Sequence, residues 1–300
     1  MQHDANFSSG LHVMMFAGPN GSGKTSLIDQ IRETGLQALG GLFPVPKIFI
    51  NPDQVVKDLT GHFATQDLRD QAAQQLAVSL RATAILKKLS FAFETVMSHP
   101  SRVNELLQLR KDGYQIILVF ITTSDPEKNV ERVEIRYTTK TTTGHYVQPD
   151  RVRSRYHRTL ALLPAAFEIA DAAFIYDNSI DGGEPQQQVI RDGLSFAVAP
   201  NALPWAQKFV ARVRSRELQR ERIDLQYSGD NADALHGTYT GCLIEITEDF
   251  LVQQVANAVI VHDRLLLDTA EESQANTAHY TIGTNVNIDY AADQAPVVTV

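Results

Sequence analysis

The fold of this chain is decided by one stretch, Gly18-Pro19-Asn20-Gly21-Ser22-Gly23-Lys24-Thr25. It matches the pattern G-x-x-x-x-G-K-[ST] in full. Glycines let such a backbone curl so that successive N–H groups point inward at a phosphate. Lys24 then reaches the β- and γ-phosphates, and Thr25 offers a hydroxyl to Mg²⁺. The predicted ATP-binding residues are Gly18, Asn20, Gly21, Ser22, Gly23, Lys24, Thr25 and Ser26.

The surroundings of this loop predict an α/β fold. His12–Ala17 reads as a strand and Lys24–Arg32 as a helix that begins directly after the glycines. Further apolar strands at Phe91–Thr95, Tyr114–Thr122 and Ala172–Tyr176 are separated by amphipathic stretches. Strands that alternate with helices imply a parallel sheet with helices on both faces. We therefore expect the sheet of a P-loop NTPase.

The last third of the chain has a different pattern. Trp205–Arg222 reads as one basic helix, and alternating segments after Gly229 predict a small antiparallel β-barrel. The predicted domains are residues 1–200, a linker helix at 201–231 and the barrel at 232–300. The helix is either a solvated connection or a basic face that docks the acidic tail or a phosphate-bearing partner.

Composition and charge exclude several classes of protein. No apolar run approaches the roughly 18 residues that span a bilayer. The single cysteine, Cys242, excludes an internal disulfide, and the polar N-terminus lacks the order of a signal peptide. We expect a soluble cytoplasmic protein, with export by a route that leaves no cleavable signal still open. Residues 230–300 hold eleven acidic side chains and one basic one, which argues against nucleic acid or a membrane as partner.

Two acidic residues lie near the carboxyl ends of predicted strands. Both are candidates for binding or activating the hydroxyl that accepts the phosphoryl group. Asp53 follows the short strand Lys47–Ile50 and is either a general base or the N-cap of a helix. Glu94, with Thr95 beside it, ends the strand Phe91–Thr95 and is a candidate for binding substrate hydroxyls. The carboxyl ends of parallel strands share one edge of a sheet, so both acids are expected beside the phosphate loop.

Arginines after residue 130 form the third group of candidates, because their charge suits a migrating phosphoryl group. Arg132 and Arg136 share a helix face, and Arg151, Arg153, Arg155 and Arg158 follow a polar stretch at Thr138–Val147. That stretch reads as a lid over the acceptor site. The nine histidines show no metal-binding spacing, so a zinc site is not expected.

Four segments in order resemble the zeta-toxin family of kinases: AGPNGSGKTSL, INPDQVVKDL, FAFETVMS and ERVEIRYTTKTTTGHYVQPDRVRSRYHRTLALL. The resemblance implies that Asp53 is the general base, that Lys24 and Arg132 act on the transferred phosphate and that ATP and Mg²⁺ are bound. It also implies a second arginine at the γ-phosphate, which is one of Arg153, Arg155 and Arg158, and a substrate site. The predicted substrate-binding residues are Glu94, Thr95, Arg136, His145, Arg153 and Arg155.

The family phosphorylates a sugar hydroxyl of UDP-N-acetylglucosamine, so the resemblance implies a toxin or effector kinase that acts on a nucleotide-sugar and has a neutralising antitoxin. The loop Thr142-Thr143-Gly144-His145 departs from the family's two glycines before histidine, which leaves the acceptor open. The alternatives are a kinase of polynucleotide 5′-ends or of another nucleotide-like substrate, and an ATP-binding regulator of a plasmid or conjugation system. Residues after Gly237 also resemble the KfrB-type module of such systems.

Overall fold

The computed structural model describes residues 10–38, 41–43, 45–51, 54–56, 63, 65–139, 147–271 and 280–299. Asp53 and His145, two of the predicted site residues, lie outside this described part, as do residues 140–146 of the predicted lid. Within it, no helix is long and apolar enough to cross a bilayer.

The chain divides into two compact units. The first comprises residues 1–96, 109–156 and 170–202, and the second comprises 97–108, 157–169 and 203–300. Up to residue 202 the elements are β1 (His12–Ala17), α1 (Lys24–Thr34), β2 (Leu36–Ala38), β3 (Gly41–Phe43), β4 (Ile48–Ile50), α2 (Gln66–Leu86), β5 (Phe91–Thr95), α3 (Ser101–Lys111), β6 (Gln115–Thr122), α4 (Pro126–Thr138), α5 (Pro149–Ile169), β7 (Ala172–Asp177), β8 (Gln186–Asp192) and β9 (Ser195–Val198).

The first unit is built on a seven-stranded sheet in the order β4-β5-β1-β6-β7-β8-β9. The five neighbouring strands β4, β5, β1, β6 and β7 are parallel, as predicted. β8 and β9 pair antiparallel to their neighbours. The sheet is therefore mixed, and the expectation of a parallel sheet holds for five strands. β2 and β3 form a separate antiparallel pair.

The parallel strands place their carboxyl ends along one edge, which is where ligands bind in such sheets. β1 lies at the centre of the five parallel strands, and Met14 and Phe16 are buried against Leu27 and Ile28 of α1. β6 is buried along almost its whole length, which explains its unbroken apolar sequence. The loop between β1 and α1 is thus held by a strand and a helix that are both part of the core.

The second unit includes a separate six-stranded sheet. Its elements after residue 203 are α6 (Pro204–Tyr227), β10 (Asp230–Asn231), β11 (Thr238–Ile246), β12 (Phe250–Val255), β13 (Ala258–Asp263), α7 (Arg264–Glu271), β14 (Asn285–Asp289) and β15 (Val297–Thr299). The strand order is β10-β13-β12-β11-β14-β15. Ile223 of α6 packs against Phe250, Val252 and Val261 on this sheet.

The predicted C-terminal barrel is not confirmed. Within the described residues the strand order is linear, β10 and β15 form the two edges, and the sheet is open. It is also not purely antiparallel, because β10 pairs with β13 in parallel. The alternating pattern predicts strands with one covered face, and α6 covers part of this sheet without any need for closure.

A buried histidine lies in the core of this sheet. The His262 side chain is fully buried, its Nδ1 lies 2.9 Å from the Tyr290 hydroxyl and its Nε2 lies 3.0 Å from Gln253 Oε1. Burial lowers the pKa of His262 from 6.5 to about 4. The imidazole is therefore neutral in the folded protein at pH 7, and the unfolded chain binds a proton at this position at a higher pH than the folded chain does.

We expect acid to destabilise the second unit through His262. As the pH falls from 6.5 to 4, the unfolded state takes up a proton that the folded state does not, which lowers the free energy of unfolding by about 3 kcal/mol. Urea unfolding followed by the fluorescence of Trp205, the only tryptophan, measures this unit. His262→Gln should flatten the pH dependence, whereas His236→Gln at an exposed position should leave it unchanged. An equally steep pH dependence in the His262 variant would contradict the assignment.

Candidate phosphate-binding site

The loop between β1 and α1 has a backbone that only glycine fits at two positions. Gly21 has φ +78°, and a Cβ there would lie 2.4 Å from the carbonyl oxygen of Asn129. Gly23 has φ +93°, and a Cβ there would lie 2.2 Å from Nδ2 of Asn178. Both φ values fall in the region that side chains disfavour. Glycine is therefore required at both positions, by the backbone conformation and by the close approach of Asn129 and Asn178.

The first turn of α1 has the features of an anion site. Gly23 is its N-cap residue and provides no side-chain cap, so the loop and a ligand must satisfy the first N–H groups. The positive end of the helix dipole lies at the same place. Ser22 Oγ is buried and has no hydrogen-bond partner in the described part of the chain. This unsatisfied hydroxyl and the uncapped helix fit a phosphate group.

Lys24 lies inside the loop. Only 9% of its side chain is exposed, and Nζ donates to the carbonyl oxygens of Gly18 at 2.8 Å and Pro19 at 3.0 Å. Its ammonium group is therefore held at the loop by acceptors that a phosphate oxygen can replace. Thr25 and Ser26 come next, with exposed side chains. The Thr25 hydroxyl is the group that would hold Mg²⁺ next to such a phosphate.

Two asparagines hold the loop from neighbouring elements. Asn129 of α4 is buried, donates from Nδ2 to the carbonyl of Asn20 at 2.6 Å and accepts a hydrogen bond from the Thr123 hydroxyl. Asn178, directly after β7, donates from Nδ2 to the carbonyl of Ser22 at 2.9 Å. Sequence reasoning missed both. The position of Asn178 immediately after a buried strand was the signal that could have indicated it.

We expect Asn178→Ala to weaken ATP binding about fivefold, because one hydrogen bond to the loop is worth about 1 kcal/mol. Asn201→Ala, at an exposed position, is the matched control. Isothermal titration with a non-hydrolysable ATP analogue measures both. An unchanged Kd in the Asn178 variant would show that this bond does not shape the site.

The acidic side of the site is formed by Glu94 at the end of β5. Asn51, directly after β4, donates from Nδ2 to Glu94 Oε2 at 2.7 Å, and Lys24 Nζ lies 3.9 Å from Glu94 Oε1. Thr95 is the last residue of β5 and pairs in register with Ala17, the last residue before the glycine loop. The structure thus brings Glu94 and Thr95 to the phosphate loop. Asn51 was not predicted.

The candidate arginines differ in whether they contact the phosphate loop and its neighbours. Arg155 Nη1 lies 3.3 Å from Asn20 Oδ1 in the phosphate loop. Arg132 donates from Nη1 to the carbonyl of Asn178 at 2.8 Å, and its other nitrogens bind Asp181. Arg136 forms no hydrogen bond or ion pair with the described residues. Arg132 and Arg155 are therefore the two that structural contacts place next to the loop.

Arg153 has other partners. It pairs through Nε and Nη2 with both carboxylate oxygens of Glu127, at 2.6 and 2.7 Å, and through Nη1 with Asp150. Its hydrogen bonds lower the pKa of Glu127. A cavity of about 500 Å³ adjoins this pair and is lined by Asp125, Glu127, Lys128, Val130, Glu131, Glu134, Pro149 and Arg153. None of the phosphate-loop residues line it, so we assign the chemistry to the loop and not to this acidic cavity.

Tyr156 fixes the helix that carries Arg155. Its hydroxyl donates to the carbonyl of Thr123 at 2.7 Å, directly after β6. Burial raises the pKa of Tyr156 to about 12, so the hydroxyl keeps its proton and remains a donor at neutral pH. Among the described residues, no group of three or more His, Cys, Asp or Glu side chains could hold a metal ion. A metal ion here would depend on Thr25 and on the phosphates of a ligand.

Comparison with known proteins identifies two segments. Residues 9–179 match the family model of the zeta toxin, and residues 238–299 match that of the KfrB domain. An uncharacterized protein of Haemophilus influenzae is 25% identical over 144 residues, which are 48% of this chain and 91% of the relative.

Several solved structures are similar. The structure of AvrRxo1-ORF1:-ORF2 with ATP has a TM-score of 0.47 and 16% identity, and the match covers 67% of this chain but only 63% of that one, less than two thirds. The PezAT chromosomal toxin-antitoxin system of Streptococcus pneumoniae has a TM-score of 0.41 and 15% identity, with 71% of this chain and 88% of that chain covered. A putative kinase from Chloroflexus aurantiacus has a TM-score of 0.37 and 18% identity, with 49% and 79% covered.

Proposed function

Because the chain belongs to the zeta toxin family, we propose that it is an ATP-dependent kinase that transfers the γ-phosphate to a hydroxyl of a small molecule. One observation supports this most strongly: the buried Lys24 and the unpaired Ser22 hydroxyl lie at an uncapped helix N-terminus, with Glu94 beside them. The donor half and the acceptor half of a phosphoryl transfer then share one edge of the sheet.

On the donor side, the chain binds and holds the phosphates. The N–H groups of the loop and of the first turn of α1 would bind them, and Lys24 would exchange the carbonyls of Gly18 and Pro19 for phosphate oxygens. ATP would supply the phosphoryl group, and Thr25 would hold the Mg²⁺ that offsets its charge. Arg155 and Arg132 add positive charge next to the loop, which stabilises charge that shifts in the transition state.

On the acceptor side, Asp53 takes the proton from the attacking hydroxyl, and Glu94 with Thr95 orients the acceptor. This role of Asp53 rests on the family resemblance and on its position shortly after β4 and Asn51. Asn51 fixes the Glu94 carboxylate through a 2.7 Å hydrogen bond, so the acid keeps one orientation. Arg136, which has no partner in the described residues, and His145 are further substrate contacts in this proposal.

The acceptor we propose is a nucleotide-sugar such as UDP-N-acetylglucosamine, which is the substrate class of the family, and a toxin of this kind has a neutralising antitoxin. A polynucleotide 5′-kinase is the second candidate. The acidic balance of residues 230–300, eleven acids against one base, does not favour a nucleic acid substrate. Labelled ATP incubated with UDP-N-acetylglucosamine or with a 5′-hydroxyl oligonucleotide separates the two.

We expect Asp53→Asn to lower the rate of transfer at least about a hundredfold while ATP still binds, because a general base contributes roughly 10²–10⁴-fold. Asp29→Asn, an exposed aspartate on α1, is the matched control. Initial rates of ADP formation with acceptor present, together with Kd for an ATP analogue, give both quantities. Near-normal turnover in the Asp53 variant would remove the general base from the proposal.

A further inference from the structure

Three parts of the chain meet at the guanidinium of Arg216 in the second unit. Glu168 belongs to α5 and lies in the segment that matches the zeta toxin. Asp249 and Asp263 lie in the segment that matches the KfrB domain, residues 238–299, which we call the C-terminal segment. Arg216 itself lies between the two matched segments and belongs to neither.

All five N–H groups of Arg216 are engaged. Nε and Nη2 donate to the two oxygens of Glu168 at 2.6 and 2.9 Å. Nη2 also donates to Asp263 at 2.7 Å, and Nη1 donates to Asp263 at 3.2 Å and to Asp249 at 3.3 Å. The guanidinium carbon lies 4.9 Å from the ring centroid of Phe250. With 1% of its side chain exposed, Arg216 is a buried connection and not a surface ion pair.

Other side chains of α6 secure the same turn of the C-terminal segment. Arg212 donates from Nε and Nη2 to Asp249 at 2.9 and 2.7 Å, and Gln219 both donates to Asp249 Oδ2 and accepts from its backbone N–H. Asp249 is fully buried. On the α5 side, the rings of Phe167 and Phe209 meet edge to face with centroids 5.1 Å apart. The basic helix therefore docks part of the acidic tail, which is one of the two interpretations of its sequence.

The end of α5, after Pro164, depends on tertiary contacts for its stability. Pro164 lies inside the helix and has no N–H, so the helix lacks one intrahelical hydrogen bond there. A short helical end of this kind gains its stability mainly from tertiary packing. The contacts of Phe167 and Glu168 with α6 provide such packing.

We propose that the C-terminal segment braces the end of α5 through Arg216, so that residues 161–169, α6 and the C-terminal segment form one cooperative unit. The end of α5 contacts α6 through Phe209 and Arg216, and it is coupled to the C-terminal segment through the carboxylates that share Arg216. Removing one partner of a buried ion network leaves the others uncompensated, so a change at one end is felt at the other. This inference does not depend on the kinase proposal.

Hydrogen exchange of the full-length protein, followed by mass spectrometry, tests the brace. Arg216→Lys keeps the positive charge, but a single ammonium group cannot bind three carboxylates as the planar guanidinium does. We expect amides in residues 161–169 and in residues 249–263 to exchange about tenfold faster together, because they open as one unit. Arg222→Lys on the same helix is the control, since Arg222 is exposed and its pair with Glu245 of the C-terminal segment does not include α5.

A second variant covers the case in which Arg216→Lys does not fold. Asp263→Asn changes only the C-terminal segment, and we expect it to accelerate exchange in residues 161–169 by severalfold. Faster exchange in both regions with either variant, and none with Arg222→Lys, supports the brace. Exchange that changes only around the substituted residue, or an effect of Arg222→Lys as large as that of Arg216→Lys, overturns it.

Discussion

Replacing Lys24 with methionine is expected to lower phosphoryl transfer about a thousandfold, because removing one preorganised donor from a transition-state site costs roughly 10²–10³-fold or more. Methionine keeps most of the volume and the flexibility of the side chain, so the loop can retain its shape. In the protein, Lys24 Nζ donates to the carbonyls of Gly18 and Pro19 and lies 3.9 Å from Glu94 Oε1. The substitution therefore removes the positive charge at the point where the loop meets the acidic side of the site.

The measurement is the initial rate of γ-phosphate transfer at saturating ATP, with near-UV circular dichroism to show that the fold is intact. Lys208→Met, at an exposed position on α6, is the control and should keep the wild-type rate. If the Lys24 variant kept more than about a tenth of the wild-type rate, the phosphate loop would not be the donor site.

Replacing Arg216 with methionine is expected to lower the free energy of unfolding by about 3–5 kcal/mol, the cost of breaking a buried ion network by removing one partner. Glu168, Asp249 and Asp263 would remain without their common cation. Arg212 would still pair with Asp249, so the loss falls mainly on Glu168 and Asp263.

Urea unfolding followed by the fluorescence of Trp205 gives this loss, since Trp205 lies in the same helix. Arg214→Met, two residues away at an exposed position, should change stability by less than about 0.5 kcal/mol. Equal losses in the two variants would mean that the network around Arg216 contributes no more than a surface arginine.

Much of the first unit could be predicted from sequence, because a strand that is buried on both faces has a continuous apolar sequence. β1, β5, β6 and β7 are such runs, and the glycine loop predicts the helix directly after β1. β8 and β9 were missed because they lie toward the edge of the sheet, where only Val189 and Gln188 of β8 are buried and no continuous apolar run marks a strand. Asp192-Gly193 between them was a turn signal that, together with the alternation in Ser195–Val198, could have indicated the pair.

The position of a residue beside the phosphate loop could be predicted where a motif or a strand end marks it, and not where distant elements bring it there. The roles of these residues stay predictions. Lys24 and Glu94 are identified by a motif and by a strand end. Asn129 and Asn178 are ordinary helix or loop residues until the parallel strands bring them to the phosphate loop. The contact of Arg155 with the phosphate loop, where Arg153 pairs with Glu127 instead, depends on which side of α5 faces the loop, and spacing alone does not define that.

The arginines of α6 show the same limit of prediction from sequence. Arg214 and Arg216 look alike in sequence, yet one is exposed and the other is buried among three carboxylates. Tertiary partners decide which arginine is structural, and those partners come from residues 48 positions before Arg216 and 47 after it. The open sheet in place of the predicted barrel has the same cause, since closure depends on contacts between distant strands and not on their alternation.

The central claim, that this chain transfers phosphate from ATP to a small-molecule hydroxyl, is tested most directly by mass spectrometry of a metabolite pool incubated with the protein and ATP labelled with heavy oxygen in the γ-phosphate. We expect a labelled phosphate ester to appear on a nucleotide-sugar with the wild-type protein, and to be absent with the Lys24→Met and Asp53→Asn variants. Label that appears only in inorganic phosphate, or equally in all three samples, would contradict the account.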